Sequence, residues 1–301
     1  MYSAPFEYLR AGSWPDAVAQ LERGGEDAHV LAGGQSLVPM MMLGLAAPSL
    51  LVDVGDADER TIEVRDGSLH LSALVRHVDI ERSDAVGAAC PMLAEAVRHI
   101  GNVRVRHRGT IGGSLAHGES TAELAVVAVA HRASVRVLGR TGERTLPAAE
   151  LFVTHLTTSL EPGEVITAVQ VPVAGPRTGG CFTEIARRAG DFALVEAAAV
   201  VSLDEEGRCA DARVVVGAIA DRPIDVSDAA HALLGRPLSD QAVSELARTV
   251  ADDVEIGPHS HAGADYRREL VAVLVVRAIR TATARADGAE TPATTANGRM
   301  A

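Results

Sequence analysis

The sequence predicts an α+β protein of two domains, and three observations lead to that prediction. Residues 172–180 (Pro-Val-Ala-Gly-Pro-Arg-Thr-Gly-Gly) are typical of a linker, because proline and glycine interrupt regular structure. Before the linker, short strands and helices alternate around two glycine-paired loops. After it, three strand-like runs precede three helices, which is typical of an α+β domain with a three-stranded antiparallel sheet. The strands are predicted at 181–187, 194–203 and 212–219, and the helices at 225–234, 240–251 and 265–280.

The first elements of the chain follow from capping residues and apolar runs. Ser13 is a good N-cap, so a helix is predicted over 13–23. A buried strand at 30–32 then leads into the first glycine loop, and a second strand is expected at 50–54. Between them, the triplet Met40-Met41-Met42 is interpreted as core filling, since methionine adapts to irregular gaps.

The middle of the chain shows two hairpin signals and two helix signals. Apolar residues alternate on both sides of Asp66-Gly67, which predicts a tight hairpin over 61–71. A second hairpin is expected from Ser134 around Gly142. A helix is predicted from Pro91 to about residue 100 and another over 123–131, while 103–106 is expected to be extended.

The composition excludes several classes of function. The 301 residues carry a formal charge of −12, which argues against nucleic acid or an anionic membrane as a partner. All 28 basic residues other than histidine are arginine, so a P-loop lysine and a lysine Schiff base are excluded. No apolar run reaches the ~20 residues of a membrane span, and the N-terminus does not read as a signal peptide. We therefore expect a cytoplasmic protein without membrane insertion.

The cysteines predict neither a metal centre nor a disulfide. Cys90, Cys181 and Cys209 are scattered and form no Cys-x-x-Cys pair, so a zinc site or protein-held iron–sulfur cluster is not expected. We expect all three to be small core residues of a reduced protein.

The two glycine-paired loops are the strongest functional signal. The first is Ala32-Gly33-Gly34-Gln35-Ser36 and the second is Thr110-Ile111-Gly112-Gly113-Ser114, and each is expected to follow an extended segment. Backbone amides in such bends form anion-binding concavities, and the hydroxyl groups add donors. Brought together, the two loops predict a cradle for a diphosphate. Taken alone, the first loop is also compatible with a structural turn.

Other polar residues have both a structural and a functional interpretation. One functional interpretation is a metal site formed by His107, His117, Glu119 and Glu123. Their spacing fits no known metal site, so hydrogen-bonded histidines are the simpler interpretation. The arginines at 104, 106 and 108 alternate along a predicted strand, either as a solvated face or as a positive rim near the diphosphate. The charged turn 187–192 is interpreted as structural ion pairing among Arg187, Arg188 and Asp191, and the alternative is that Phe192 in this turn covers the edge of a cofactor or contacts a partner.

Four separated motifs resemble the FAD-binding medium subunit of the molybdenum hydroxylases, the carbon monoxide dehydrogenase and xanthine dehydrogenase family. They are 31–40 (Leu-Ala-Gly-Gly-Gln-Ser-Leu-Val-Pro-Met), 105–117 (Val-Arg-His-Arg-Gly-Thr-Ile-Gly-Gly-Ser-Leu-Ala-His), 187–193 and 266–268. They occur in the family's order, and the resemblance runs over nearly the whole chain.

The resemblance implies a two-part FAD-binding domain of the vanillyl-alcohol-oxidase-like (PCMH-type) class, with a small C-terminal α+β domain. We expect the first at 1–175, with subdomains of about 1–55 and 56–175, and the second at 176–283, before a mobile tail at 284–301. By the same resemblance, Glu123 contacts the cofactor, and Ile166 packs on its adenine or flavin side. The implied FAD-binding residues are Ala32, Gly33, Gly34, Gln35, Ser36, Thr110, Ile111, Gly112, Gly113, Ser114, Glu123 and Ile166.

The resemblance also implies a function and a set of partners. A large subunit would hold the molybdenum cofactor and a small one two [2Fe–2S] clusters, in a dimer of heterotrimers. This chain would pass electrons through FAD to NAD⁺, a quinone or another acceptor, with no catalytic side chain of its own. A stand-alone FAD-dependent reductase and a non-catalytic scaffold subunit are the alternatives. The chain departs from common family residues at His107, Ser114, 118–120 and Thr183.

Overall fold

A computed structural model describes residues 4–288 of the chain, and its first unit is a small parallel sheet. The strands lie in the order β1-β3-β2 and all run parallel, so their carboxyl ends share one edge. Two helices connect them. The elements are β1 (Glu7–Arg10), α1 (Trp14–Gly24), β2 (Ala28–Leu31), α2 (Leu37–Leu43) and β3 (Leu50–Asp53).

The elements of this unit agree with the sequence in kind but differ in burial. Ser13 caps α1 by accepting a hydrogen bond from the Asp16 amide, as the sequence indicates. Strand β2 is only half-buried, because it lies at the edge of the sheet. The interpretation of the methionine triplet as core filling was wrong in part: Met41 is buried, but Met42 is 59% exposed. Helix α2 presents only one side to the core.

The second unit is a five-stranded antiparallel sheet in the order β4-β5-β10-β6-β7, covered by helices. Both predicted hairpins are present, and Asp66 and Gly67 adopt the positive φ angles of their turn. The elements are β4 (Ile62–Arg65), β5 (Ser68–Ser72), α3 (His77–Arg82), α4 (Asp84–Ala89), α5 (Pro91–Ala96), α6 (Val103–Arg108), α7 (Ile111–His117), α8 (Glu123–Ala130), β6 (Ser134–Gly139), β7 (Gly142–Pro147), α9 (Ala148–Leu151), β8 (Phe152–Thr154), β9 (Thr157–Thr158) and β10 (Val165–Pro172).

The segment 103–108 is a helix, so the prediction of an extended strand there was wrong. Asn102 stands at the N-cap of α6, and its side-chain oxygen accepts hydrogen bonds from the amides of Arg104 and Val105. This local cap outweighs the alternation of valine and arginine that suggests a strand. The second glycine loop therefore follows a helix. The helix predicted from Pro91 is also shorter than expected and ends at Ala96.

The C-terminal unit is an antiparallel sheet of four strands rather than three, in the order β11-β12-β13-β14. The extra strand β14 and a short helix replace the helix predicted over 225–234. Its elements are β11 (Thr178–Ala186), β12 (Ala193–Leu203), β13 (Cys209–Gly217), β14 (Ile224–Asp225), α10 (Ser227–Ala230), α11 (Asp240–Asp253) and α12 (Ala264–Ala286). Only residues 173–177 separate β10 from β11, so the linker is shorter than expected.

The two faces of strand β12 pack on different cores. Val195 and Ala197 lie in the core formed with α11 and α12, whereas Ala198 and Val200 lie in the core of the preceding unit. Both faces of the C-terminal sheet are therefore buried, each in a different core. The three cysteines are buried in these cores, as expected.

The predicted C-terminal tail and the expected absence of a membrane span can both be compared with the structure. The predicted tail at 284–301 begins inside α12, which runs to Ala286, and from residue 289 onward it lies outside the described residues. Over residues 4–288, none of the helices combines the length and apolar character that crossing a bilayer requires.

Candidate functional site

The first glycine loop lies where the parallel sheet ends, and its backbone amides are free. Gly34 takes a φ of +71°, which turns the chain sharply between β2 and α2. Among residues 4–288, no hydrogen-bond acceptor pairs with the N–H groups of residues 32–36. The residues of this bend are mostly half-buried or exposed. Five consecutive unpaired donors at the carboxyl edge of a parallel sheet are typical of an anion site.

The second glycine loop has a different construction from the one expected. Thr110 is the N-cap of α7, and its side-chain oxygen accepts a hydrogen bond from the Gly113 amide at 3.1 Å. The amides of Ile111 and Gly112 donate to the carbonyls of Val75 and Ala73, and the Ser114 amide donates to that of Thr110. These amides are thus already paired within the protein. The loop contributes shape and the Ser114 hydroxyl, rather than a row of free amides.

The structure brings the two glycine loops together. A Cβ on Gly33 would lie 2.4 Å from the Arg108 carbonyl oxygen and 2.9 Å from the Gly109 Cα. On the other side, a Cβ on Gly113 would lie 3.7 Å from the Ala32 Cβ. Only glycine at position 33 permits this backbone approach, because real Cβ atoms do not come so close to other atoms. The convergence predicted from the sequence is therefore present.

Arginines surround the junction of the two loops. The Arg76 guanidinium donates a hydrogen bond to the Arg108 carbonyl, directly behind the contact with Gly33. Burial lowers the pKa of Arg76, and the neighbouring positive charges of Arg60 and Arg108 lower it further. Arg60 also lines an open pocket of about 630 Å³ formed with Gly12 and residues 55–59. The arginines bring positive charge to the junction, which favours an anion there, while the carboxylates of Asp56, Asp58 and Glu59 line the same pocket as Arg60.

His77 supports the second loop from inside. A Cβ on Gly109 would lie 2.8 Å from the His77 ring, so the ring packs directly against the backbone of this residue. Burial lowers the pKa of His77 to about 4, with smaller contributions from Arg106 and Arg76. The ring is therefore neutral at physiological pH and acts as a packing surface beneath the loop.

Glu123 lies apart from the glycine loops, at the junction with the C-terminal sheet. It opens α8 and is partly exposed. Its desolvated surroundings raise the pKa of this carboxyl to about 8, and the negative charge of Glu184 adds to the shift. Glu184 belongs to β11, so carboxyl groups from both units meet here.

Ile166 is placed in the core of the second unit, near the second loop. It is 5% exposed and stands at an irregularity of the pairing between β10 and β6. Its neighbour Thr167 accepts a hydrogen bond from the Ala73 amide, and Ala73 in turn contacts Gly112. Ile166 is therefore connected to the second loop through one neighbouring segment, with little surface of its own.

The histidines near the second loop do not gather ligands around a metal. The His107 ring nitrogen Nδ1 lies 2.7 Å from the Val103 carbonyl, one turn back in α6. Burial lowers the pKa of His117. Within the described part of the chain, no three His, Cys, Asp or Glu side chains are placed to hold a metal ion.

The turn 187–192 forms a contact between the two units. Arg187 and Asp191 pair at 3.6 Å, which matches the structural interpretation of this turn. Gly190 has a φ of +80°, and a Cβ there would lie 2.4 Å from the Gly101 carbonyl oxygen. Phe192 is 71% exposed, so its ring is available for a contact outside this chain.

The sequence reasoning missed two residues of this region. Glu196 is completely buried in β12, and its signal was a single charged residue in an otherwise nonionic strand. Arg76 holds the second loop in place, yet nothing near it in the sequence marks it as special.

Two family models match the chain. Residues 4–174 match the FAD binding domain in molybdopterin dehydrogenase, and residues 180–282 match the CO dehydrogenase flavoprotein C-terminal domain. Together they span both glycine loops and the shared sheet.

Curated relatives and solved structures agree with these matches. The chain is 38% identical to the 6-hydroxypseudooxynicotine dehydrogenase complex subunit alpha of Paenarthrobacter nicotinovorans, over 93% of this chain and 95% of that protein. It is 32% identical to the carbon monoxide dehydrogenase medium chain of Afipia carboxidovorans, over 95% and 99% of the two chains. A structure of carbon monoxide dehydrogenase from Hydrogenophaga pseudoflava superposes with a TM-score of 0.91 at 34% identity, covering 95% of this chain and 99% of that one.

Proposed function

The chain belongs to the FAD-binding medium subunits of the molybdenum hydroxylases, and from that membership we propose that it is their electron-transfer subunit. It would receive electrons from the [2Fe–2S] clusters of a small partner subunit and pass them through FAD to an external acceptor such as NAD⁺ or a quinone. The observation that carries this proposal is the convergence of Gly33 on the backbone at Arg108 and Gly109.

The first loop would provide most of the hydrogen bonds to the FAD diphosphate. Its five unpaired N–H groups, at residues 32–36, point to an anion that the described protein does not itself supply. The hydroxyl groups of Ser36 and Ser114 make no hydrogen bond within residues 4–288 and add two donors at the junction. Arg60 and Arg108 supply positive charge. These groups fit a diphosphate in number and in kind.

The remaining cofactor-binding residues have supporting positions. Thr110 fixes the start of α7 through its cap, and Gly112 packs on Ala73, so the second loop is rigid before any ligand arrives. Glu123 would face the cofactor at the junction of the two units, and Ile166 would support it from the core. The full proposed set is Ala32, Gly33, Gly34, Gln35, Ser36, Thr110, Ile111, Gly112, Gly113, Ser114, Glu123 and Ile166.

FAD would supply the redox chemistry, and the chain would supply binding and orientation. We assign no general base or nucleophile to this chain. The neutral His77 ring and the Arg76 guanidinium hold the backbone of the second loop in place. The preorganised loop limits the loss of conformational freedom when the cofactor binds.

An apolar surface next to the first loop supports a role as a subunit. On and after α2, the side chains of Val38, Met42, Leu43 and Leu45 are 39%, 59%, 65% and 70% exposed. Exposed apolar side chains gathered in one short segment are typical of a protein–protein interface. We propose that the partners are a large molybdenum-cofactor subunit and a small [2Fe–2S] subunit, in a dimer of heterotrimers in the cytoplasm.

Co-expression with the neighbouring genes and purification of the full complex test this function. The proposal predicts about one FAD per chain together with molybdenum and iron, and an isolated chain that does not turn over NADH with a dye acceptor. Steady turnover by the isolated chain would indicate a stand-alone reductase. An intact complex without FAD would indicate a scaffold subunit.

A further inference from the structure

A row of three residues crosses the C-terminal sheet on the side that faces the FAD-binding unit. Glu184 on β11 is paired with Glu196 on β12, and Glu196 is paired with Gly217 on β13. Along β12, Ala198 and Val200 belong to the core of the FAD-binding unit, so Glu196 shares their face of the strand. Two carboxyl groups therefore stand side by side at the junction of the two units.

The missing side chain of Gly217 makes room for the Glu196 carboxyl. A Cβ on Gly217 would lie 2.4 Å from the Glu196 Oε2 and 2.3 Å from the Val126 Cγ2. The carboxyl is therefore enclosed between the sheet and helix α8. Glu123 lies three residues before Val126 on the same helix, and residues at this spacing share a helix face. Glu123 thus approaches Glu196 from the FAD-binding unit.

Within residues 4–288, no cation forms an ion pair with Glu196. The side chain is 0% exposed, and within the described chain neither of its oxygens has a hydrogen-bond partner. The titratable groups that face it are carboxyls: Glu184 from β11, with Glu123 and Glu119 from α8 and the segment before it. His99 lies nearby, but its Nδ1 is 3.0 Å from the Glu184 Oε1. An ionised carboxylate that is fully buried without a donor is strongly unfavourable, so the group neutralises instead.

We propose that Glu196 and Glu123 form a proton-holding carboxyl pair at the domain junction. Glu196 is the member that stays neutral, and Glu123 is the member that exchanges its proton with solvent beside the cofactor. Glu196 acts through Glu123 and is a positioning residue. This inference rests on the proposed function only in placing Glu123 next to FAD.

The difference between the two carboxyls follows from their access to water. Glu196 is enclosed on all sides, whereas Glu123 is partly exposed at the start of α8. Burial raises the pKa of Glu123 to about 8, and burial also raises the pKa of Glu196 well above its usual value. A neutral pair adds no fixed negative charge to a site that binds an anionic cofactor. One exchangeable proton also allows the site to offset a change of charge at that cofactor.

Infrared spectroscopy of the full-length protein tests the pair without relying on FAD. The wild type is expected to show C=O stretching bands of protonated carboxyls, of which one is lost around pH 8 and one persists above that transition. Glu196→Gln should remove the persistent band and leave the titrating one. Glu123→Gln should do the reverse. Glu164→Gln, at a carboxylate paired with Arg144, is the matched control and should change neither.

The proposal is overturned if the wild type shows no protonated carboxyl above the transition near pH 8, or if the persistent band survives in folded Glu196→Gln. If Glu196→Gln does not fold, the persistent band of the wild type and the spectrum of Glu123→Gln still decide whether the carboxyl pair holds a proton. A second readout is the proton exchanged on FAD binding near pH 8, measured by titration calorimetry in buffers of different ionisation enthalpy. It should vanish in Glu123→Gln and remain in Glu196→Gln. A chain that binds no FAD contradicts the proposed function, while the infrared result still decides on the pair.

Discussion

The Cα of Gly33 faces the carbonyl oxygen of Arg108 so closely that a Cβ at position 33 would lie 2.4 Å from that oxygen. This contact joins the first glycine loop to the helix that precedes the second. It unites two segments that are distant in sequence into one site at the carboxyl edge of a parallel sheet. The convergence follows from the close packing of backbone against backbone.

Substituting Gly33 by alanine is expected to separate the two loops. A methyl group forced into packed backbone costs about 1–3 kcal/mol, and about 1.4 kcal/mol corresponds to a tenfold change in affinity. FAD affinity should fall about tenfold or more, as measured by quenching of flavin fluorescence. Gly87→Ala is the control, because a Cβ there meets nothing within 4 Å. Equal FAD affinity in Gly33→Ala and the wild type would argue against the contact.

Substitutions at Thr110 and Ser114 are expected to affect different properties: the first lowers stability and the second weakens FAD binding. Thr110→Ala removes the cap of α7 and should lower the free energy of unfolding by about 1 kcal/mol. Ser114→Ala should leave stability unchanged and weaken FAD binding by about 0.5–1.5 kcal/mol, through the loss of one hydrogen bond. Urea denaturation of the FAD-free chains and FAD titration measure the two effects. A Ser114 variant that is destabilised yet binds FAD normally would contradict this division of roles.

The stability of the FAD-free chain should fall as the pH rises from about 6.5 to 8. Burial raises the pKa of Glu123 to about 8 and raises that of Glu196, so the folded state binds more protons than the unfolded one over this range. His77 and His131 act in the opposite sense. Burial lowers the pKa of both to about 4, so their contribution grows with pH between about 4 and 6.5 and levels off above that range.

Thermal denaturation across this pH range provides the measurement. The decline should be shallower in Glu123→Gln than in the wild type, and unchanged in the control Glu164→Gln. A wild-type stability that rises from about pH 6.5 to 8 would show that these carboxyls are ionised in the folded protein.

The exposed apolar segment on α2 is expected to bind a partner subunit. Met42→Ser with Leu45→Ser should reduce recovery of the molybdenum and iron subunits in co-purification, without loss of FAD or stability, because both side chains are more than half exposed. Val64→Ser is the matched control, since Val64 is 52% exposed on a different sheet. Full recovery of the complex with the double variant would place the interface elsewhere.

Local turn and cap chemistry made much of the fold predictable. Asp66-Gly67 and Ser13 act within a few residues of where they stand, so the first hairpin and α1 are present as predicted. The extended prediction at 103–106 was wrong because valine and arginine alternate there as in a strand, whereas the Asn102 cap starts a helix. The exposure of Met42 could not be read locally, since it depends on which side of α2 meets the sheet.

The parts of the site that are built from glycine could be predicted from the sequence. The parts that depend on pairing between distant segments could not. Gly33 and Gly113 are visible in the sequence as permissive positions, and the two loops that carry them do meet. The amides of the second loop donate to the carbonyls of Ala73 and Val75. This pairing could not be predicted, because it depends on how a segment distant in sequence aligns with the loop. A role for Glu196 can be inferred only once its pairing with Glu184 across the sheet is known.

Amide hydrogen–deuterium exchange of the full chain, with and without FAD, tests the central claim most directly. Without FAD, residues 32–36 should exchange rapidly because their N–H groups are unpaired, whereas residues 111–114 should be protected by their internal hydrogen bonds. Adding FAD should slow exchange at 32–36 strongly and change 111–114 little. A chain that binds FAD while residues 32–36 keep exchanging at the unliganded rate would contradict the account.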